Sequence, residues 1–353
     1  MLYSSLAEAR DTLNTEHLLQ SLISQINDGH AEVWGSKITE KQYAPFVIEH
    51  IENKPTITDV LADSLSEMRG LQIVSIDGKP VSDYITEQKR FVSGANSRQI
   101  RRKVFNRLLA GSASDTVTLI LQRPDNTTLD YKLTYGLTGG EYNRMINQGQ
   151  PNISHYEIEP NIHYLNASTI YLDSFIKKYD LLQQAQAIII DGRRKPHNSF
   201  REIVKYFISQ KDTIQWMSVP IITKPDYLPP LNYKYYGWEL ETTEKPITAK
   251  VYYLIGQGTF SYGESVTAYF DNRPNTLLVG MSTSGTNGNV NSFQLPGGYI
   301  IRYTGMRVVK HNGANLHGIG FAPDVEVFPT IRGITDGRDE VLEKAIELAK
   351  MNQ

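Results

Sequence analysis

Chemistry is most plausible in the stretch Gly256-Gln257-Gly258-Thr259-Phe260-Ser261-Tyr262-Gly263-Glu264. The apolar run Val251 to Ile255 enters a glycine-bearing loop, and a helix pattern starts near Ser261. Two readings share this spacing. In the structural one, Ser261 caps the helix and Glu264, three residues on, reaches back as in a capping box. In the functional one, a serine between a strand end and a helix start projects its hydroxyl into the crevice above an α/β sheet. The N–H of Tyr262 then points at a substrate oxyanion, and the helix N-terminus favours that charge. Thr259 stands where a G-x-S-x-G elbow has its first glycine, so this is not the α/β-hydrolase arrangement.

A serine hydroxyl needs a base to act as a nucleophile at neutral pH. No lysine occurs between Ser261 and Val309, which excludes a lysine from the following loop. The histidines are His17, His30, His50, His155, His163, His197, His311 and His317, and spacing alone does not choose among them. His30 directly follows Asp28-Gly29 at the end of a helix pattern, a place where a surface histidine is also favoured by the helix dipole. The chain has no cysteine, so thiolate chemistry, disulfides and cysteine-bound zinc are out. There is no H-E-x-x-H, P-loop or dinucleotide fingerprint, and no cofactor or metal is implied. Gly285-Thr286-Asn287-Gly288 reads as a turn.

The elements that must position these groups follow from composition and periodicity. The 353 residues, 40% hydrophobic and 21% charged, suit two or three folded domains. A net charge of −2 argues against nucleic acid as main partner. No apolar run approaches the roughly 20 residues that cross a bilayer, and no signal-type segment precedes residue 20. The 21 tyrosines suit half-buried rings with wet hydroxyls. Residues 4–27 read as a helix. Leu71 to Ile76 reads as a strand closed by Asp77-Gly78, Arg98 to Leu109 as a basic amphipathic helix, and 116–135 as a hairpin, together a small α+β module. Residues 140–160, with Gly139-Gly140, Asn and Pro, read as a linker. From 162 the pattern is α/β: strands at Ile162 to Leu165, Ala187 to Ile190, Val251 to Ile255 and Leu277 to Val279, with helices at 174–182 and 199–208. Residues 215–247 are a long Pro/Tyr/Trp-rich excursion, and Asp339 to Lys350 is a closing helix.

These residues resemble the C-terminal processing peptidases and tricorn-type serine proteases, whose catalytic domain also occurs in a retinoid-binding protein. The likeness runs from about 162 to 350. Ala187 to Arg193 resembles an apolar strand ending in D-x-R, and Thr259 to Glu264 the nucleophile segment. Val279 to Gly288 resembles V-G-x-x-T-x-G, Gly318 to Val325 resembles G-x-G-x-x-P-D, and Asp339 to Ala349 the closing helix. Upstream, Asn27 to Val33 resembles the segment that ends the family's helical N-terminus. Gly70 to Val81 resembles the D-G-x-P-V stretch of a PDZ-like domain, although 35–70 lack a G-L-G-F loop.

The resemblance implies a helical segment at 1–34, a PDZ-like α+β domain at 35–140 and a crotonase-like (ClpP-like) α/β peptidase domain at 141–353. It implies a serine peptidase acting on peptides or proteins, located in a bacterial periplasm or cell envelope. Ser261 is then the nucleophile. Thr286 occupies the lysine position of the processing branch, so the tricorn-like base, His30, is the match. His317 falls where that branch has a carboxylate orienting the base, and a neutral imidazole cannot stabilise an imidazolium as a carboxylate does. The oxyanion donors are the N–H groups of Tyr262 and His197. Arg193 to Asn198 depart from the family's glycine-rich loop, which restricts the backbone there and supplies cations for a substrate carboxylate. These departures motivate an alternative: a peptide- or apolar-ligand-binding protein on the same scaffold, weak or inactive as a catalyst.

Overall fold

The computed structural model describes residues 12–35, 41–61, 63–148, 153–222 and 232–351. The chain divides into two units. One comprises Met1–Gly149, Ser292–Tyr303 and Phe328–Glu340; the other comprises Gln150–Asn291, Thr304–Val327 and Val341–Gln353.

In the first unit the N-terminal helix is described as Thr12–Ile23; the expected positions before 12 lie outside the described residues. A 3-10 turn, Ser24–Ile26, follows and ends at Asn27 with φ 56°, a left-handed stop that asparagine tolerates. Strand Glu32–Gly35 then pairs antiparallel with Tyr299–Thr304, Glu32 opposite Arg302. Leu19, Ile23, Ala31, Val33, Tyr299 and Ile301 form the small core beneath that pair.

The following module is an antiparallel sheet in the order Phe46–Ile51, Lys54–Val60, Gln72–Ile76, Thr116–Gln122, Thr128–Thr134. Helices Val81–Gln88 and Ser97–Leu108 accompany it. The hairpin runs unbroken from Thr116 opposite Thr134 to Gln122 opposite Thr128. Val117, Leu119 and Leu121 alternate onto the core with Phe46, Ile48, Ile57, Val104 and Phe105. Asp77 (φ 47°) and Gly78 (φ 75°) both take left-handed backbone, the geometry of a two-residue hairpin turn.

The expected linker at 140–160 is corrected. Gly139–Gln148 is a helix, and His155–Glu159 is a strand of the second unit. A capping box overrides the two glycines: the Thr138 N–H and hydroxyl donate to Glu141 Oε2, each at 2.8 Å, and the Glu141 N–H donates to Thr138 Oγ1. Tyr142 and Met145 on the same helix are buried against Val47.

The second unit is built on a six-stranded sheet. Its order is His155–Glu159, Ile162–Asn166, Ala187–Asp191, Lys250–Ile255, Thr276–Gly280, Val325–Glu326. The first pair is antiparallel and the rest are parallel. The central strands are buried on both faces, hence their unbroken apolar sequences. Ile188, Ile190, Val251, Tyr253 and Ile255 face one layer with Phe200, Val266 and Phe270. Ile189, Tyr252, Leu254 and Val279 face the other, where Val341, Ala345 and Ala349 of the closing helix Glu340–Met351 pack. The stretch read as one helix at 174–182 is two short ones, Leu172–Ile176 and Tyr179–Gln183. The Tyr-rich excursion contains an antiparallel pair, Met217–Ile221 with Asn232–Tyr236.

Candidate active site

Strand Lys250–Ile255 ends at the loop 256–261, and helix Tyr262–Asp271 begins directly after it, with residues Gly263 to Phe270 all buried. Thr259 ties this loop to the neighbouring strand end. Its hydroxyl donates to the Gly192 carbonyl at 3.0 Å and accepts from the Gly256 N–H at 3.1 Å.

Ser261 sits at φ 53°, ψ −117°. That region is sparsely populated for any residue with a Cβ and stores of the order of 1–3 kcal/mol. Its side chain makes no cap bond to the helix, so the capping-box reading does not hold. Glu264, the supposed partner in that box, points elsewhere. It is fully buried and accepts from the Thr283 hydroxyl, the Gly285 N–H at 2.7 Å and the Thr286 N–H at 2.9 Å. The loop it holds returns the contact, because the Ser261 N–H donates to the Thr286 carbonyl at 2.9 Å. Glu264 therefore fixes the 283–286 loop, and that loop fixes the backbone of Ser261. Neither the Ser261 hydroxyl nor the Tyr262 N–H has a hydrogen-bond partner among the described residues. A half-buried hydroxyl and an adjacent unpaired donor at a helix N-terminus are what attack on a carbonyl and stabilisation of its oxyanion require.

The phenol of Tyr262 reaches the next strand's loop. It donates to the Asn198 carbonyl at 3.1 Å and accepts from the Arg201 N–H at 2.9 Å. Burial pushes its pKa up, which keeps it a donor. On that loop the His197 N–H donates to the Ala167 carbonyl at 2.8 Å, and in this geometry it closes the loop. The His197 ring accepts the Ser199 N–H at Nδ1, 3.2 Å, so a neutral ring carries its proton on Nε2. Arg193 forms a two-nitrogen pair with Asp191, Nε at 2.9 Å and Nη2 at 2.6 Å, and Tyr164 adds its hydroxyl at 3.0 Å. Burial raises the Asp191 pKa, but the guanidinium and its hydrogen bonds outweigh that and hold it below the usual carboxylate range. Arg193 is thereby committed to Asp191, whereas Lys195 is exposed.

Ser261, Tyr262, His197 and His317 all belong to the second unit. His317 is exposed and its carbonyl accepts from the Asn315 amide at 3.2 Å. His30 belongs to the first unit, half-buried, with its N–H donated to Asp28 Oδ1 at 2.9 Å. Glu264 is the functional residue that sequence reasoning misassigned. Its role is readable only from the contact between its helix and a loop about 20 residues further on. Among the described residues no group of three or more His, Asp or Glu side chains could hold a metal ion, and no helix is long and apolar enough to cross a membrane.

Residues 161–327 match the model of peptidase family S41. No curated protein matches the chain. Among solved structures, mature CPAF complexed with lactacystin superposes with a TM-score of 0.77 at 15% identity, covering 99% of this chain and 90% of that one. Mature CPAF alone gives 0.72 at 15% identity, over 96% and 86%. The photosystem II D1 C-terminal processing protease gives 0.50 at 13% identity, over 96% and 91%. These structures share the fold; the family assignment rests on the matched residues, and they coincide with the sheet and loops that hold Ser261. Residues 161–327 of this chain, a mixed α/β region, belong to peptidase family S41, a family of serine peptidases that includes the C-terminal processing peptidases.

Proposed function

We propose that the protein is a serine peptidase in which Ser261 attacks the peptide carbonyl. The observation that carries this reading is the strained backbone of Ser261 at φ 53°, which leaves its hydroxyl off the helix end beside an unpaired Tyr262 N–H. Strain of this kind persists only where surrounding structure over-determines it, here through Glu264 and the 283–286 loop. In the proposed cycle a base takes the Ser261 proton as the hydroxyl attacks and passes it to the leaving amine as the C–N bond breaks. It then takes a proton from water, which attacks the acyl-enzyme, and gives it back to Ser261 as the acid product leaves. His30, on the Asp28-Gly29-His30 segment, is our candidate for that base. Tyr262 N–H is the oxyanion donor; the His197 N–H would have to leave the Ala167 carbonyl to join it. His317 is assigned as orienting partner of the base, and its exposure keeps that contribution small. We further read residues 35–140 as PDZ-like, the second unit as crotonase-like, and the site of action as a bacterial cell envelope.

A second reading is a protein that holds peptides or apolar ligands without turnover. It is favoured by one observation, the engagement of the His197 N–H with Ala167, which leaves a single free oxyanion donor. A fluorophosphonate probe separates the two. Covalent labelling of the wild type that disappears in Ser261→Ala supports the peptidase. Saturable peptide binding by a wild type that is never labelled supports the binding protein and sinks the first reading.

A further inference from the structure

Helix Ser97–Leu108 carries Gln99, Lys103 and Arg107 four residues apart, one per turn on a single stripe. Each addresses the segment around His30, either directly or through Ser93. Gln99 is buried, 4% exposed, and its amide oxygen is fixed by the Ala95 N–H at 2.8 Å. It lies so close to Gly29 that a Cβ there would collide with its amide group. Lys103 donates to the Ser93 carbonyl at 2.9 Å, and the Ser93 hydroxyl accepts the Asp28 N–H at 3.2 Å. Arg107 pairs with Glu32 at 3.2 Å. Asp28, itself 6% exposed, then closes the turn inside the segment: its carboxylate accepts the His30 N–H and its carbonyl accepts the Ala31 N–H at 3.1 Å. Every residue from 28 to 32 is therefore held by this turn, by the stripe or by the strand that starts at Glu32.

We infer that the Gln99–Lys103–Arg107 stripe is a positioning device for His30, with Gln99 against Gly29 as its central contact. This rests on His30 being the base. The stripe lies in the α+β module, so that module sets the backbone from which the imidazole projects, whatever ligand it binds itself. A general base must be placed to within a fraction of an ångström, and about 1 Å of misplacement costs on the order of 100-fold in rate. Gly29 is then required for close approach rather than for an unusual backbone angle, since a methyl group would displace the turn or the buried amide.

The test uses the saturation kinetics of fluorophosphonate labelling on the full chain. Gly29→Ala should lower the limiting first-order rate constant of labelling roughly 10- to 100-fold, with the half-saturating probe concentration within about threefold. Loss of folded protein would instead lower the fraction labelled at completion and leave that rate constant unchanged. The double variant Gly29→Ala/Gln99→Ala should recover much of that loss, because the atoms in the way are gone. Arg107→Gln, at the far end of the stripe, should cost severalfold. The inference is overturned if His30→Ala abolishes labelling while Gly29→Ala stays within twofold of wild type, or if the double variant is no better than Gly29→Ala. If Gly29→Ala fails to fold, Gln99→Ala and Arg107→Gln decide: both within twofold of wild type overturns it, a lowered limiting rate supports it. Full labelling in His30→Ala removes the base assignment and the stripe's catalytic role with it, while leaving Ser261 as the labelled residue.

Discussion

Replacing Glu264 by glutamine isolates the contact that holds the backbone of Ser261, the nucleophile we propose. Oε1 takes the Thr283 hydroxyl and the Gly285 N–H, and Oε2 takes the Thr286 N–H, with the side chain fully buried. A glutamine can keep its oxygen on the Oε1 side only. Its NH2 then faces the Thr286 N–H, donor against donor. One charge-assisted bond is lost outright, and the others weaken to neutral ones. Bonds to charged groups are worth about 1.5–3 kcal/mol and an unsatisfied buried donor costs about 1–3. Because the loop can relax, we expect a net destabilisation of about 2–4 kcal/mol for Glu264→Gln. At roughly 2–4 °C per kcal/mol for a domain of 150–250 residues, that is a fall in Tm of about 5–15 °C. Fluorophosphonate labelling should also slow, since the Thr286 carbonyl no longer anchors the Ser261 N–H. Thermal denaturation followed by circular dichroism reads the first effect and labelling kinetics the second. A Tm within 2 °C of wild type, with unchanged labelling, would refute the view that Glu264 is the strut of the site.

Three further outcomes follow from the structure. Ser261→Gly should be more stable than Ser261→Ala by about 1 kcal/mol, because glycine relieves the φ 53° backbone and alanine keeps it; equal urea midpoints would contradict stored strain there. Thr138→Ala should cost about 1 kcal/mol through loss of the capping box, measured as a urea midpoint shift, and no shift would remove that cap as the reason 139–148 is helical. His311 and His155 have pKa values lowered to about 4, His311 by burial and His155 by burial and then the neighbouring His163. The unfolded chain therefore takes up protons that the folded one refuses between pH 6.5 and about 4. Stability contributed by the neutral rings is complete above 6.5 and is lost as pH falls through that window. Urea midpoints at pH 7.5, 6, 5 and 4.5 should decline, less steeply in His155→Gln/His311→Gln; identical slopes would reject the assignment.

Much of the α/β framework is legible in the chain because buried parallel strands announce themselves as apolar runs. Ile162–Asn166, Ala187–Asp191, Lys250–Ile255 and Thr276–Gly280 are such runs, and each reads correctly to within a residue or two. The hairpin at 116–134 is legible for a different reason, its period-2 burial around a Pro-Asp-Asn turn. What fails is of two kinds. At 139–148 the two glycines outweigh a T-x-x-E box that lies in plain view, and the box wins because it satisfies helix donors that glycine merely leaves flexible. At Ser261–Glu264 the same style of box misleads, since the partners of Glu264 come from a loop beyond the helix it belongs to. The helix-facing stripe on 97–108 is visible as spacing, but its target, Gly29, is a tertiary fact. Nor does any local pattern foretell that Glu32–Gly35 finds its partner at Tyr299–Thr304.

That last pairing imposes an order on biogenesis. Glu32 emerges from the ribosome some 270 positions before Arg302, the residue that faces it. Until then Val33 and Ala31 lack half of their apolar cover, and the turn holding His30 lies at the end of an unpaired strand. Closing so long a loop is slow, and it comes after Ser261 has already been synthesised. A nascent chain, or one truncated anywhere before residue 300, thus carries Ser261 without a settled N-terminal segment, and the turn at 28–31 gains its strand partner only once residues 299–302 have been made.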